Sequence, residues 1–448
     1  MPQDVLRTLL GVLQDVGAPL TRPGFANFLV VATGWIQTYG MHAVTQALVV
    51  TDVAGKRHHE AFHRFFSRGS WDPDELGWWL FLRLEHSTGD GTLRAAVDDT
   101  VAPKKGPLVF GIGSHIDAVR STKRQKVFCF GHCWVVLAVL VRVPFSQRVW
   151  ALPILFRLYR NLKECEKHGA PYKKKTELAR EMIDVLMGWT KRRIEVSADS
   201  AYSNDTVTHG LPGRVHLLGS MRPDAVLTAL PRAKKPSGRG GRPCKRGKLL
   251  AKPEVIAGDE THPWQSCEVF VYGCKTIVRY KTFCAQWYRA CGTRLLRIVI
   301  VATTRGTIPF RVFFSTDASL SVPSIIAGYG ARWSIECFFR EAKQFLGFGD
   351  SCARKEAAVL RVAPLVGMLY TALVVWFIEG ASTSPLAAPP LRPWYRHKQG
   401  SSFEDILRTA RRALLGFDVL VPSRDVENLH QLPTRSGISQ NDRWKLVS

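Results

Sequence analysis

The chain has 448 residues, enough for two to four structural units with sizeable cores, and 46% of them are hydrophobic, which excludes a disordered polymer. Sixty-two lysines and arginines against 37 aspartates and glutamates leave a formal charge of +25 and a pI near 9.9. The expected partner is therefore a polyanion, with nucleic acid first and an anionic membrane surface as the rival. The most apolar run, residues 362–378, contains Pro364 and falls short of the roughly 20 residues that span a bilayer, so it reads as a buried core helix. The opening residues are polar and the first helix carries Arg7 and Asp15, so no signal peptide is expected. The ten cysteines include no C-x-x-C pair, and the spacing of Cys267, Cys274, Cys284 and Cys291 is not that of a zinc site; free thiols in a reducing cytosol are expected.

Residues 1–88 read as short helices and form the candidate N-terminal DNA-binding region. Leu6, Leu9, Leu10, Leu13 and Val16 recur at helical spacing, and 25–39 and 74–84 look similar. Between them, GKRHHEAFHRFFSRG at 55–69 mixes cations with aromatics, which suits phosphate contact with some stacking, or a solvated basic helix over a core. From Leu93 the pattern changes. LRAAVDDT is a short strand ending in Asp98 and Asp99; 126–143 and 148–159 are strands, the latter with Pro153 as a bend or edge signal. Residues 174–192 form a helix with Leu178, Met182, Leu186 and Trp189 on one face. RIEVSAD is a fourth strand ending in Asp199, followed by a helical piece at 204–209 and a strand at 214–221.

Three strands, a helix, a strand, a helix and a strand is the order of a ribonuclease-H-like core, an α/β fold with a mixed sheet. If the fourth strand pairs with the first, both aspartate blocks emerge at one sheet end, where ligand sites of α/β sheets lie. Residues 89–222 would be the first part of this core. A mostly β insertion follows at 223–316, with strands expected at 267–280, 295–303 and 311–315. It contains a basic Gly-rich loop, 232–252, suited to phosphate contact. Residues 317–380 complete the core. A Pro-rich linker at 382–393, a basic amphipathic helix at 403–415 and a loosely ordered tail make up 381–448.

The stretch 321–346, SVPSIIAGYGARWSIECFFREAKQFL, reads as one helix. Ser321 is a capping residue and Pro323 fits the first turn. At about 100° per residue, Tyr329, Arg332, Glu336 and Lys343 share a stripe about 60° wide. A plain i,i+4 ion pair between Arg332 and Glu336 is the simpler explanation of that stripe. Asp98 and Asp99 could likewise begin a turn, and Asp199 could cap the next helix. Three carboxylates converging in a strongly basic chain point further. Mg²⁺ takes hard oxygen ligands and usually keeps one or two carboxylates, and two such ions can clamp an in-line phosphoryl displacement.

At these residues the sequence resembles the DDE-type insertion-sequence transposases marked by a Tyr–Arg–Glu–Lys helix signature. Tyr329, Arg332, Glu336 and Lys343 stand at the signature's spacings, and AVDDT (96–100) and SADSAY (197–202) match its other two blocks; the likeness covers roughly residues 97–377. The resemblance implies Asp99, Asp199 and Glu336 as catalytic and metal-holding residues. Adjacent strand residues face opposite ways, and the motif aligns its first aspartate with Asp99, leaving Asp98 in reserve. It also implies that Tyr329, Arg332 and Lys343 hold DNA phosphates, and that Trp333 stacks near the cleaved end unless it is a core tryptophan. The implied function is binding of terminal inverted repeats, cleavage with two Mg²⁺ (Mn²⁺ substituting) and strand transfer into target DNA. The implied protein is a homodimer on double-stranded DNA in a bacterial cytoplasm, with no membrane partner. A metal-dependent nuclease without strand transfer, or an inactive DNA-binding repressor or remnant, are the alternatives.

Overall fold

A computed structural model describes residues 2–89, 91–106, 108–117, 120–122, 124–231, 244–303, 309–390, 393–394, 398 and 400–420. Five helices come first: α1 (Pro2–Gly17), α2 (Arg22–Gln37), α3 (Val44–Val50), α4 (Glu60–Ser67) and α5 (Pro73–Ser87). Then follow β1 (Leu93–Pro103), β2 (Gly113–Ile116), β3 (Phe128–Arg142), β4 (Val149–Tyr159), α6 (Leu162–Lys167), α7 (Lys175–Trp189), β5 (Ile194–Ala198), α8 (Asp205–Thr208) and β6 (Val215–Met221). The chain continues through α9 (Pro253–Gly258), β7 (Gln265–Val271), β8 (Cys274–Gln286), α10 (Tyr288–Cys291), β9 (Leu295–Ala302) and β10 (Phe310–Ser315). It closes with α11 (Val322–Ala331), α12 (Trp333–Phe345), α13 (Glu356–Ile378) and α14 (Phe403–Ala413). Two compact units result: residues 1–89, 99–173 and 336–448 form the first, and 90–98 with 174–335 the second.

The first unit is built on α13. Apart from Glu356 and Arg361 near its start, its 23 residues are almost wholly apolar on all sides, and a helix of that kind must be enclosed. It is long and apolar enough to cross a membrane, but most of it is buried against β4, α5, α1, α4 and α14, as expected of a core helix. Pro364 removes one helical hydrogen bond and is accommodated within that enclosure. β3 and β4 pair antiparallel from Cys133↔Tyr159 to Arg142↔Val149, with a register shift where Leu137 faces Leu155 and Ala138 faces Pro153. The extra residue is Ile154. A proline has no N–H for the ladder, so the irregularity falls where Pro153 sits. Helices use the carbonyls there: Pro153 O accepts from Thr371 Oγ1 of α13 at 2.8 Å, and Gly77 of α5 lies directly over Ile154 O. Asp72 caps α5, and Arg157 of β4 forms a two-pronged bond to Asp74 at 2.6 and 2.8 Å.

The second unit holds a mixed sheet. β1 pairs parallel with β5 (Leu93↔Ile194 to Val97↔Ala198) and β5 pairs parallel with β6, the arrangement expected if the fourth strand lies beside the first. β6, β10, β9, β8 and β7 then continue the same sheet in antiparallel pairs, so the β-rich stretch extends this sheet. Val322, Ile325 and Ile326 of α11 pack on Val269, Val299 and Val301 of that extension.

Several elements differ from the sequence reading. The strand expected at 267–280 is a hairpin: β7 turns into β8 through Tyr272 and Gly273, both at positive φ (54° and 84°). Two left-handed residues form the two-residue turn that matches strand twist, and a tyrosine at the first position hides the signal. β1 runs on to Pro103, so Asp98 and Asp99 lie within the strand instead of ending it. The helix expected at 321–346 is divided into α11 and α12 at Arg332, whose carbonyl accepts from the Ile335 N–H in a tightened turn. β2, α6, α9 and α10 were not anticipated. Residues 232–243 of the basic loop and the tail from 421 onward lie outside the described residues.

The contact at Gly77 yields a stability prediction. A Cβ there would stand 2.2 Å from the Ile154 carbonyl oxygen, so α5 and β4 must separate. Gly77→Ala should destabilise by about 1–3 kcal/mol. Gly11→Ala in α1, where a Cβ meets nothing within 4 Å, should be neutral or stabilising by up to about 1 kcal/mol. Denaturant midpoints of the two variants check the contrast; equal midpoints would contradict the close packing of α5 on β4.

Candidate active site

Asp98 and Asp199 each follow the last paired residues of the parallel β1–β5 ladder, Val97 and Ala198. Asp98 and Asp199 therefore stand just past the same end of the parallel ladder, within the second unit. Asp199 Oδ1 accepts from the N–H of Ala201 at 2.8 Å and of Tyr202 at 3.3 Å. This is an Asx turn, and it holds the carboxylate at the strand end. Ser203 Oγ closes the same turn by donating to Asp199 O at 2.9 Å.

α11 is pinned above these strand ends by polar contacts. Ser197 Oγ donates to Gly328 O at 3.1 Å, and Tyr329 OH donates to Ser220 Oγ at 3.2 Å while its ring lies 4.5 Å from that of Phe313. Arg332 Nη1 donates to Asp98 Oδ2 at 2.5 Å, with its guanidinium 5.7 Å from the Tyr329 ring. Both side chains of that ion pair are largely buried. Asp98 is thus ion-paired with Arg332. Trp333 is 49% exposed, so it is not a core residue.

The first unit holds Asp99, Glu336 and Lys343. On a regular strand Asp99 faces away from Asp98, and its Oδ2 receives the Cys133 thiol at 3.4 Å. Glu336 lies in the first turn of α12 and is partly exposed. The helix is held by Glu341, which accepts from Arg148 Nη2 at 2.7 Å and from Tyr370 OH at 2.7 Å. Burial, and then the Glu341 carboxylate, push the Tyr370 phenol well above its ordinary pKa, so it stays a donor. Lys343 Nζ reaches Thr100 Oγ1 at 2.7 Å and Val101 O at 2.8 Å. The residue is exposed overall, but loss of water around its ammonium lowers the Lys343 pKa below the usual lysine value.

Sequence reasoning missed Glu341, Arg148 and Tyr370. A signal was available: Glu341 stands three residues after Phe338 and four before Phe345, on the apolar face of α12. Ser220, Thr100 and Cys133 are contacts made across the fold; Thr100 closes the AVDDT block, but nothing in the local sequence marked Ser220 or Cys133. Among the described residues, no group of three or more His, Cys, Asp and Glu side chains forms a preassembled metal cluster. Asp99, Asp199 and Glu336 are each carboxylates, the class of hard oxygen donor that a divalent cation such as Mg²⁺ takes.

The Arg332–Asp98 pair makes a prediction. Removing one partner of a buried pair leaves an uncompensated charge, so Arg332→Ala should destabilise by about 3 kcal/mol. Adding Asp98→Asn should recover much of that loss. Melting temperatures of the two single variants and the double variant check it; strictly additive losses would show that the pair is not coupled.

The sequence matches the family described as DDE superfamily endonuclease over residues 34–275, just over half of the chain. The matched span includes both aspartate blocks and ends before Glu336. No curated protein matches the sequence. Among solved structures, the fold is similar to a piggyBac transposase seen by cryo-electron microscopy in a synaptic complex with hairpin DNA. That likeness has a TM-score of 0.41 and 11% identity, over 95% of this chain and 79% of the other, which is too distant to decide anything about this site. Endonucleases of the matched family are generally dependent on a divalent metal. With the family match spanning the two aspartate blocks that leave paired parallel strands, the chain belongs to the DDE superfamily endonucleases.

Proposed function

We propose that this protein is a DNA transposase that binds the terminal inverted repeats of its element, cleaves at them and joins the freed 3′ end to target DNA. The observation that carries this reading is the placement of Asp98 and Asp199 just past the same end of the parallel β1–β5 ladder, inside the span of an endonuclease family. The charge of +25 supports a polyanionic substrate. A homodimer assembled on double-stranded DNA in the cytoplasm is part of the same proposal.

In this reading Asp99, Asp199 and Glu336 would hold two Mg²⁺ ions, with Mn²⁺ able to substitute. When bound, the ions would lower the charge barrier to attack on a phosphodiester. The remaining work belongs to the chain. Arg332 neutralises Asp98 and leaves Asp99 as the carboxylate offered from β1. Glu341, anchored by Arg148 and Tyr370, fixes the rotation of α12 and with it the direction of Glu336. Tyr329, Arg332 and Lys343 hold phosphates of the cleaved strand. Arg332 and Tyr329 already form internal contacts, so a phosphate meets side chains whose orientation is set in advance. Trp333, exposed beside Arg332, is suited to stack on a base near the cleaved end.

Two outcomes are expected. Asp99→Ala, Asp199→Ala and Glu336→Ala should each abolish Mg²⁺-dependent cleavage of end-bearing DNA while leaving end binding largely intact, as read by strand-resolved gels and gel shifts. Full cleavage by Glu336→Ala would overturn the assignment, and cleavage without joined products in the unmodified protein would favour a simple nuclease. DNA affinity should also fall steeply with salt, because several Lys and Arg contacts release counterions, and log affinity should decline linearly with log salt. A flat profile would contradict phosphate contact by the basic surface.

A further inference from the structure

The β2–β3 hairpin of the first unit exposes apolar side chains that the proposed chemistry leaves unused. Its register is Gly113↔Gly131, Ser114↔Phe130, His115↔Cys129 and Ile116↔Phe128. Facing residues of a pair share a side, so Ile116, Phe128 and Phe130 project together from one face. They are 52%, 63% and 49% exposed. The opposite face is spent on packing. His115 is buried with its ring 5.8 Å from that of Tyr159, and a Cβ on Gly131 would stand 2.2 Å from Ala102 O.

The described residues of the β2–β3 connection are hydrogen-bonded and cationic. Asp117 N donates to Val127 O at 2.8 Å, Thr122 N to Gln125 O at 2.8 Å, and Val127 N to Ser121 Oγ at 2.9 Å. Arg120, Arg124 and Lys126 are all exposed, and the acidic residue beside them, Asp117, already has Arg120 at 3.6 Å. The hairpin also adjoins the Asp99 segment: Lys104 N, just beyond the end of β1, donates to Phe130 O at 3.0 Å.

We infer that this face is a stacking platform for the bases of an unpaired or splayed DNA strand, with Arg120, Arg124 and Lys126 holding its phosphates. The inference rests on the reading of the chain as a DNA-cleaving enzyme and extends it. Phe128 and Phe130 lie two strand residues apart, about 7 Å, close to two base steps along a single strand. A paired duplex hides its base faces, so two exposed rings flanked by cations fit a strand whose bases are open. The cations also disfavour a second copy of this strongly basic chain as the occupant.

The test uses the full-length protein without divalent metal, so that nothing is cut. Two probes share one duplex: one is fully paired, and the other ends in a splayed, unpaired segment carrying 2-aminopurine. Unmodified protein should bind the splayed probe about tenfold more tightly than the paired one and quench its fluorescence. Phe128→Ala with Phe130→Ala should lose that preference and the quenching. Affinity for the paired probe should stay within about twofold, and melting temperature should not move, because both rings are exposed. A double variant that keeps the preference overturns the platform. So does one that changes only the sedimentation of the protein, which would make the face a contact between copies. Unmodified protein that binds both probes equally sinks the platform alone, and protein that binds neither sinks the transposase reading with it.

Discussion

Two adjacent carboxylates on a regular strand cannot share a face, and the candidate active site follows from that constraint. Asp98 and Asp99 sit within β1, and pleating sends them to opposite sides. One side offers Arg332, a planar guanidinium that stays charged at any working pH and satisfies Asp98 at 2.5 Å. On the other side, Asp99 Oδ2 receives the weak donor of Cys133. The strand thereby gives the two carboxylates different surroundings, an ion pair for Asp98 and a thiol contact for Asp99. The same guanidinium anchors the junction between α11 and α12, so the local break at Arg332 and the neutralisation of Asp98 share one residue.

The second constraint acts on α12. A short helix whose apolar face rests on phenylalanines could rotate by small amounts at little cost, because dispersion contacts are weakly directional. Glu341 removes that freedom. A buried carboxylate is costly unless its hydrogen bonds are made, and here Arg148 and Tyr370 both supply them. Glu341 therefore accepts one orientation, and Glu336, five residues earlier, inherits it. Tyr370 is itself stacked on Phe403 at 4.2 Å, which extends the constraint to α14.

Lys343 works from the same helix in another way. Its ammonium donates to Thr100 and Val101, the residues that follow Asp99. It ties the far end of α12 to the strand that carries one candidate ligand while the near end carries another. The phosphate contact proposed for it is therefore secondary to a positioning role that its hydrogen bonds already give it.

The sequence by itself determined the elements whose periodicity is strong and the residues whose spacing is chemical. The largely apolar α13, the amphipathic α7 and the alternation from polar to buried strands are local properties of the chain, so they could be read without coordinates. The spacing of Tyr329, Arg332, Glu336 and Lys343, together with the two aspartate blocks, likewise pointed to the family before any fold was known. Only the tertiary structure decided which partner each charge takes. Asp98 is matched to Arg332 across 234 positions of sequence and Glu341 to Arg148 across 193, and no local pattern encodes such distances. It also decided where elements end. β1 continues past its aspartates to Pro103, and β7 and β8 pair on either side of the turn at Tyr272–Gly273. Partial burial of charge is a property of the assembled core, and that is why the roles of the polar residues emerged only there.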